Sequence, residues 1–411
     1  MEMFEDDTAW PEPRRGRVLL VLFVVAVFAA AAGVGSALLV HAATMVPVQK
    51  AAAIRPAAIM NDGAVYSKVE PGVVDVNANL QYLDETAEGT GFVIDAADGF
   101  VLTNNHVIDG ATSVRVTLVT SGKSYRAMVV GYDLKDDVAV LKIEDARGLT
   151  AVTTGDSAKL SVGTQVLALG NEAGQGGPPS LAPGVISSMG RSIVASDQSS
   201  GLTETLHGML QTSADIRPGD SGGPLADSAG QVVGIDTAAG SGGPGASAAG
   251  YAIPINTALS IARRITGNRP GPGIQLGMPA FLGVLLPDSS ASSPEKQADQ
   301  EASQQNGAAS NSGRSCLTGD ANSYNAVPAA IAPVKEGALV DGVVCGTPAA
   351  DAGLVAGDVI TGLDGQAVTS ASSLTSILNR DRPGTTAMLT WVTIDGVPHS
   401  LSVTLETGPA G

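Results

Sequence analysis

Three residues of this chain have the types and surroundings that acyl transfer requires. Ser221 lies in RPGDSGGPL (217–225). A serine hydroxyl is a weak nucleophile until a positioned base takes its proton. Glycine before the serine lets the chain turn backbone N–H groups toward a developing oxyanion, and the N–H groups of Gly219 and Ser221 are the candidate donors. Gly222 and Gly223 permit close approach of a substrate. Alone, the stretch would read equally well as a glycine- and proline-rich turn. His106 supplies the second type. It follows an apolar run in GFVLTNNHVIDGA, where a strand gives way to a turn. The other histidines, His41, His207 and His399, read as span-end, surface or turn residues. None of the four has a second His, Cys or carboxylate at metal-ligand spacing, so neither a metal site nor a cofactor is expected. The third type comes from GYDLKDDVAVLKI. Asp137 abuts a strand that runs into a core, and a buried carboxylate beside an imidazole fixes its tautomer and stabilises the imidazolium. Asp136 reads as its solvated neighbour.

These residues need a scaffold of strands. From about 64 to 255 the chain repeats short β-prone runs, GFVID, SVRVTLV, AVLKI, QVLALG and VVGIDT, each bounded by Gly, Asp, Asn or Ser. Such spacing predicts an all-β barrel or sandwich pair and not βαβ units. NTALSIARRI (256–265) reads as a helix capped by Asn256, stopped by TGNRPGPG. Farther on, a unit ending near 407 mixes strands with one or two short helices, a small α+β module. Between them, residues 288–313 contain no apolar residue larger than alanine and are expected to be disordered. The motif GSGGPG (240–245) fits a nucleotide-loop pattern but follows no βαβ unit and contains Pro244.

The formal net charge of −17 excludes a phosphate-binding nucleic-acid surface and a polybasic grip on lipid. Residues 18–40 carry no charge and would span about 34 Å as a helix, enough to cross a hydrocarbon core of about 30 Å. Arg14, Arg15 and Arg17 precede them, which places residues 1–17 inside and everything after residue 40 outside. The alternative is a signal peptide cleaved near Ala42. Residues 41–63 read as a linker. Cys316 and Cys345 permit one disulfide in an oxidising exterior, worth at best about 3.6 kcal/mol on a chain-entropy account. Two unpaired thiols are the alternative.

With GTGFVID, VLTNNHVI, DVAVLKI, GDSGGPL and GYAIPIN in order, the chain resembles the bacterial HtrA-type proteases of chymotrypsin fold. FLGV (281–284) and GTPAADAGLVAGDVITGLDGQAV (346–368) resemble the PDZ domain that follows the protease in that family. The match covers about residues 64–286 and 327–405. It implies a mainly β architecture: a double β-barrel protease at 64–268, then an α+β PDZ domain at 277–407 with an insertion at 287–326. It implies a triad of His106, Asp137 and Ser221, with His106 as base and then acid. It also implies peptide capture at Phe281, Leu282, Gly283 and Val284. Unfolded or damaged envelope proteins would be the substrates, a homotrimer the assembly, and a single-pass membrane protein facing outward the setting. A peptide-binding chaperone or scaffold with little proteolysis is the rival reading.

Two departures bear on specificity. Asp220 stands where these proteases usually have Asn, and its partner is Arg217 or solvent. Asp215 lies six residues before Ser221, where trypsin-like relatives hold the acid that selects Arg or Lys. Asp215, Ile216, Thr237 and Ala238 are therefore the candidate substrate pocket, with a rim carboxylate paired to Arg217 as the alternative for Asp215. The insertion beside the PDZ groove is either a spacer or a gate on peptide access.

Overall fold

The computed structural model describes residues 60–82, 85–145, 147–171, 176–196, 203–237, 250–287, 292–298, 316–317, 328 and 330–410, all within one unit. The apolar segment 18–40 and Ala238 lie outside the described residues. Among those described, no helix is long and apolar enough to cross a membrane.

Six strands close the first barrel: β1 (Val73–Leu80), β2 (Glu85–Asp95), β3 (Phe100–Thr103), β4 (Ser113–Leu118), β5 (Ser124–Asp133) and β6 (Val138–Ile143). Their order is β5-β4-β1-β2-β3-β6, and β5 also pairs with β6. The second barrel is closed by β7 (Gln165–Gly170), β8 (Ser180–Ser196), β9 (Thr203–Thr212), β10 (Pro224–Asp227), β11 (Val232–Thr237) and β12 (Gly250–Pro254). Period-2 alternation explains why β6 and β7 are apolar at nearly every position. Ala139 and Leu141 fill the first barrel while Val138 and Val140 face the core between the barrels. Val166 and Ala168 fill the second barrel, and Leu167 and Leu169 meet that same central core. Each strand therefore serves two cores, and the cleft between barrels has rigid walls.

Two helices seal this core. α1 (Asp62–Val69) starts on Asn61, whose side chain accepts the Ala64 N–H at 3.1 Å. The cap sets the start of the domain two residues before the expected boundary at 64. α2 (Ile255–Thr266) buries Ile255, Ala258, Ile261, Ala262 and Ile265 on one face. Its cap position is Pro254, not Asn256. Asn256 sits inside the first turn, and its amide donates to Asp156 Oδ1 at 2.7 Å, tying the helix to the connection between β6 and β7. The short β13 (Ile274–Leu276) then adds to β5.

The C-terminal module contains β14 (Ala280–Phe281), β15 (Val284–Leu285), β16 (Ala338–Leu339), β17 (Gly342–Val343), β18 (Val359–Leu363), β19 (Gln366–Ala367), β20 (Thr386–Val392), β21 (Pro398–Thr404) and β22 (Glu406–Thr407). The main sheet runs β16-β18-β20-β21, with β19 on β18, while β14 pairs β22 and β15 pairs β17. α3 (Ala371–Leu378), opened by a capping box at Ser370, buries Leu374 and Ile377 against this sheet. Cys316 and Cys345 are joined by a disulfide, and Leu317 bridges to Val344 beside it.

Part of the segment expected to be disordered is ordered. Residues 294–298 form a helical turn. Gln297 there is fully buried: its amide donates to Gly337 O at 2.7 Å and accepts the Leu339 N–H at 3.0 Å. One side chain thus satisfies backbone groups on both sides of β16, so hydrogen bonding and not hydrophobic content orders the turn. The module also touches the protease. Phe281 packs against Tyr82, the ring centroids 4.9 Å apart and the planes tilted by 32°. Residues 408–410 lie along the turn after His106, where Ala410 donates to Ala111 O at 2.9 Å and its carbonyl accepts the Gly110 N–H at 2.6 Å.

Candidate active site

His106 lies in the turn that follows β3. Asp137 closes the Leu134–Asp137 turn between β5 and β6, held by Asp133 Oδ1, which accepts the N–H groups of Lys135 at 3.0 Å and Asp136 at 3.2 Å. Asp137 has a φ of 51°, in the left-handed region that non-glycine residues seldom occupy, and is 1% exposed. That backbone turns its carboxyl inward. Oδ2 lies 2.9 Å from His106 Nδ1, and Oδ1 accepts the His106 backbone N–H at 3.0 Å. With Nδ1–H donating to this carboxyl, Nε2 is the ring atom able to take up a proton. Asp136 is half-exposed.

The Ser221 loop belongs to the second barrel but is bound to the first through Thr90. The Thr90 N–H donates to Ser221 O at 2.9 Å, and its hydroxyl donates to Gly219 O at 2.7 Å. The same hydroxyl accepts the Asn171 N–H at 2.8 Å, and Thr90 O accepts from Thr103 Oγ1 at 2.7 Å. Gly222 has a φ of 87°, and a Cβ there would strike Thr90 O and Thr103 Oγ1, so only glycine fits. A Cβ at Gly89 would meet both Val107 and Ser221 O, which brings the serine loop beside the His106 turn. Asn104 makes a second link: its amide donates to Asp137 O at 2.9 Å and to Thr237 Oγ1 at 3.2 Å. The Gly219 N–H has no acceptor among the described residues.

The acid six residues before Ser221 does not point into a pocket. Asp215 is an exposed residue whose Oδ2 accepts from Arg217 Nε at 3.0 Å and Nη2 at 2.7 Å. Ala214 and Ile216, on either side, pack in the second barrel's core, and the Ile216 N–H donates to Ala214 O at 3.0 Å, so Asp215 sits at the outer apex of a tight turn. Thr237 is buried and tied to Asn104. Asp220 is also buried. Its Oδ2 accepts the Arg217 backbone N–H at 2.9 Å and its Oδ1 accepts from Ser180 Oγ at 3.1 Å. Arg217 thus meets Asp220 through its main chain and Asp215 through its guanidinium.

Two further acids shape the electrostatics. Asp236, in β11, is completely buried. Burial first, and the charge of Asp220 second, push its carboxyl well above the usual carboxylate range. Asp75, opposite Thr90 in the β1–β2 register, is raised to about 6 by burial and then by Glu88. Of the residues around the site, Thr90, Asn104, Asp75 and Asp236 had no role in the sequence reading; GTGFVID contains Thr90 but does not reveal its bonds.

In the C-terminal module, Gly283 has a φ of 87°, and a Cβ there would collide with Thr347. Leu282 is buried and its carbonyl accepts the Ala349 N–H at 2.8 Å, while Gly283 O accepts the Val344 N–H at 2.9 Å. Among the described residues β15, which begins at Val284, pairs only with β17. Phe281 lies in β14 and is half-buried.

Paired barrels with a His–Asp pair and a serine loop meeting at their junction define the trypsin-like class of serine peptidase. The trypsin-like peptidase domain matches residues 89–235, and the PDZ domain matches residues 321–405. The periplasmic pH-dependent serine endoprotease DegQ of Escherichia coli (strain K12) is 32% identical over 320 residues, covering 78% of this chain and 59% of that protein. The periplasmic serine endoprotease DegP of Salmonella typhimurium is 32% identical over 289 residues, covering 70% and 50%. A solved structure of the HtrA-type protease AlgW with tripeptide is 30% identical, covering 85% of this chain and 98% of that one, with a TM-score of 0.44. With both domain matches in this order and these sequence identities, the chain carries a trypsin-like peptidase domain followed by a PDZ domain and is homologous to the HtrA-type serine endoproteases. It spans 50–59% of the length of the two curated relatives just named.

Proposed function

We propose that this chain is an active serine endopeptidase working outside the membrane that residues 18–40 anchor it to. His106, Asp137 and Ser221 form the triad. His106 takes the Ser221 proton as the hydroxyl oxygen attacks the peptide carbonyl, then gives it to the leaving amine; water repeats the sequence on the acyl-enzyme. Asp137 orients the ring and stabilises its charged form. The Gly219 and Ser221 N–H groups stabilise the oxyanion, a contribution worth about 3–4 kcal/mol per donor in such sites. The observation that carries the reading is the 2.9 Å contact of His106 Nδ1 with Asp137 Oδ2, beside a serine loop cross-linked to the same barrel by Thr90.

Phe281–Val284 receives C-terminal peptides. The N–H groups around Gly283 take the carboxylate and the peptide adds as a strand to the open side of β15. Unfolded or damaged envelope proteins are the substrate class, and a homotrimer the assembly; both rest on the family resemblance. The deciding experiment is casein cleavage by the full chain. Ser221→Ala is expected to abolish it. Retained turnover would remove Ser221 from its role, and a wild-type chain that binds casein without cutting would be a chaperone or scaffold.

A further inference from the structure

Asp236 belongs neither to the triad nor to the oxyanion donors, yet its carboxyl is pushed well above the usual carboxylate range. Its side chain is fully buried, and neither carboxyl oxygen has a hydrogen-bond partner among the described residues. A buried polar atom without a partner is costly, and an acid is costlier than most. Its place in the fold is well defined. The Asp236 N–H donates to Gly223 O at 2.8 Å, and its carbonyl accepts the Gly222 N–H at 2.8 Å, so the residue is fixed to the loop that carries Ser221. Across the sheet it stands opposite Ala252. Directly paired residues share a face, and Ala252 packs with Ala214 and Ile216 inside the second barrel. Asp236 therefore faces the interior reached by the two inward residues of the segment leading to Ser221.

If Ser221 acts as proposed above, the substrate side chain beside the attacked carbonyl enters next to the loop to which Asp236 is fixed; the inference rests on that reading. The other acids nearby are already engaged. Asp220 accepts from Ser180 and from the Arg217 N–H, and Asp215 holds the Arg217 guanidinium at the surface.

We propose that Asp236 determines specificity, selecting Lys or Arg at the residue that supplies the attacked carbonyl. An ammonium or guanidinium brings the donors that both bare oxygens lack, in a charge-assisted pair stronger than a neutral hydrogen bond. An aliphatic side chain leaves them bare. Burial and the charge of Asp220 push the Asp236 carboxyl well above the usual carboxylate range, so pairing with a cation is expected to draw a proton off it to solvent.

The test uses benzamidine, a compact amidinium that needs no turnover, titrated calorimetrically into the full chain in two buffers of different ionisation enthalpy. Wild type is expected to bind it with proton release. Asp236→Asn, which keeps the shape and removes the acid, is expected to weaken binding at least tenfold. Asp215→Ala is expected to change nothing. Equal binding by wild type and Asp236→Asn overturns the proposal, as does loss of binding in Asp215→Ala or no wild-type binding at millimolar benzamidine. A fluorophosphonate label on Ser221, applied to the same samples, separates the two claims. A chain that binds benzamidine through Asp236 but takes no label refutes the peptidase reading and leaves the cation site standing. Labelling with no Asp236 effect does the reverse.

Discussion

Replacing Asp75 by Asn should stabilise the protein at neutral pH and leave it unchanged in acid. Asp75 lies on β1, 4% exposed, with Glu88 near it on β2, and its carboxyl is raised to about 6 from an ordinary value of 3.8. The sign follows from proton linkage. Between about pH 4 and pH 6 the folded chain holds a proton on Asp75 that the unfolded chain has lost, so stability falls as pH rises through that window. Above it the penalty is constant. Converted at 1.36 kcal/mol per unit, the shift corresponds to about 3 kcal/mol as an upper bound. Solvent screening and the hydrogen-bonding needs of the new amide reduce the expected gain to about 1–2 kcal/mol. Urea unfolding of wild type and Asp75→Asn at pH 7.5 and about pH 3, below both the folded and the unfolded value, measures it. The variant should exceed wild type at pH 7.5, and the difference should vanish at about pH 3. An equal difference at both pH values, or none at pH 7.5, would refute the reasoning, because a charge-dependent penalty must disappear when Asp75 is protonated in both states.

Other expectations follow from single contacts. Thr90→Val removes the hydroxyl that donates to Gly219 O and accepts from Asn171, leaving both groups without it. At about 1–3 kcal/mol for each buried group left unpaired, kcat/KM should fall by about 10–100-fold with KM changing less, and Thr90→Ser should restore most of it. Unchanged kinetics would remove Thr90 from the support of the serine loop. Ala410→Asp places a carboxyl where Ala410 is 2% exposed among first-barrel residues. It should release residues 408–410 from Gly110 and Ala111 and lower stability by about 1–3 kcal/mol. Unaltered hydrogen exchange at Gly110 would contradict that.

The glycine-bounded strands were legible because alternation and turn residues are local signals, whereas the double barrel was implied by the family resemblance and not by the local pattern. The roles of individual acids were not. Asp215 and Asp236 both look like polar residues near strand ends; which one faces inward depends on the core behind each, and this follows from the register with Ala252. Thr90 could not be recognised because its partners, Gly219 and Ser221, lie some 130 residues away. The turn at 294–298 escaped notice for a different reason. Its order comes from one amide that satisfies the backbone flanking β16, and hydrophobic content does not register such a contact. Asn256 was a reasonable cap by composition, but the helix begins at Ile255, one residue earlier.

The central claim is that His106 and Asp137 activate Ser221. The most direct measurement is fluorophosphonate labelling of the full chain, with the modified residue mapped by mass spectrometry. Wild type should carry one adduct, on Ser221, and His106→Ala should label at least a hundredfold more slowly. No adduct on Ser221, or equal labelling in the two proteins, would contradict the account.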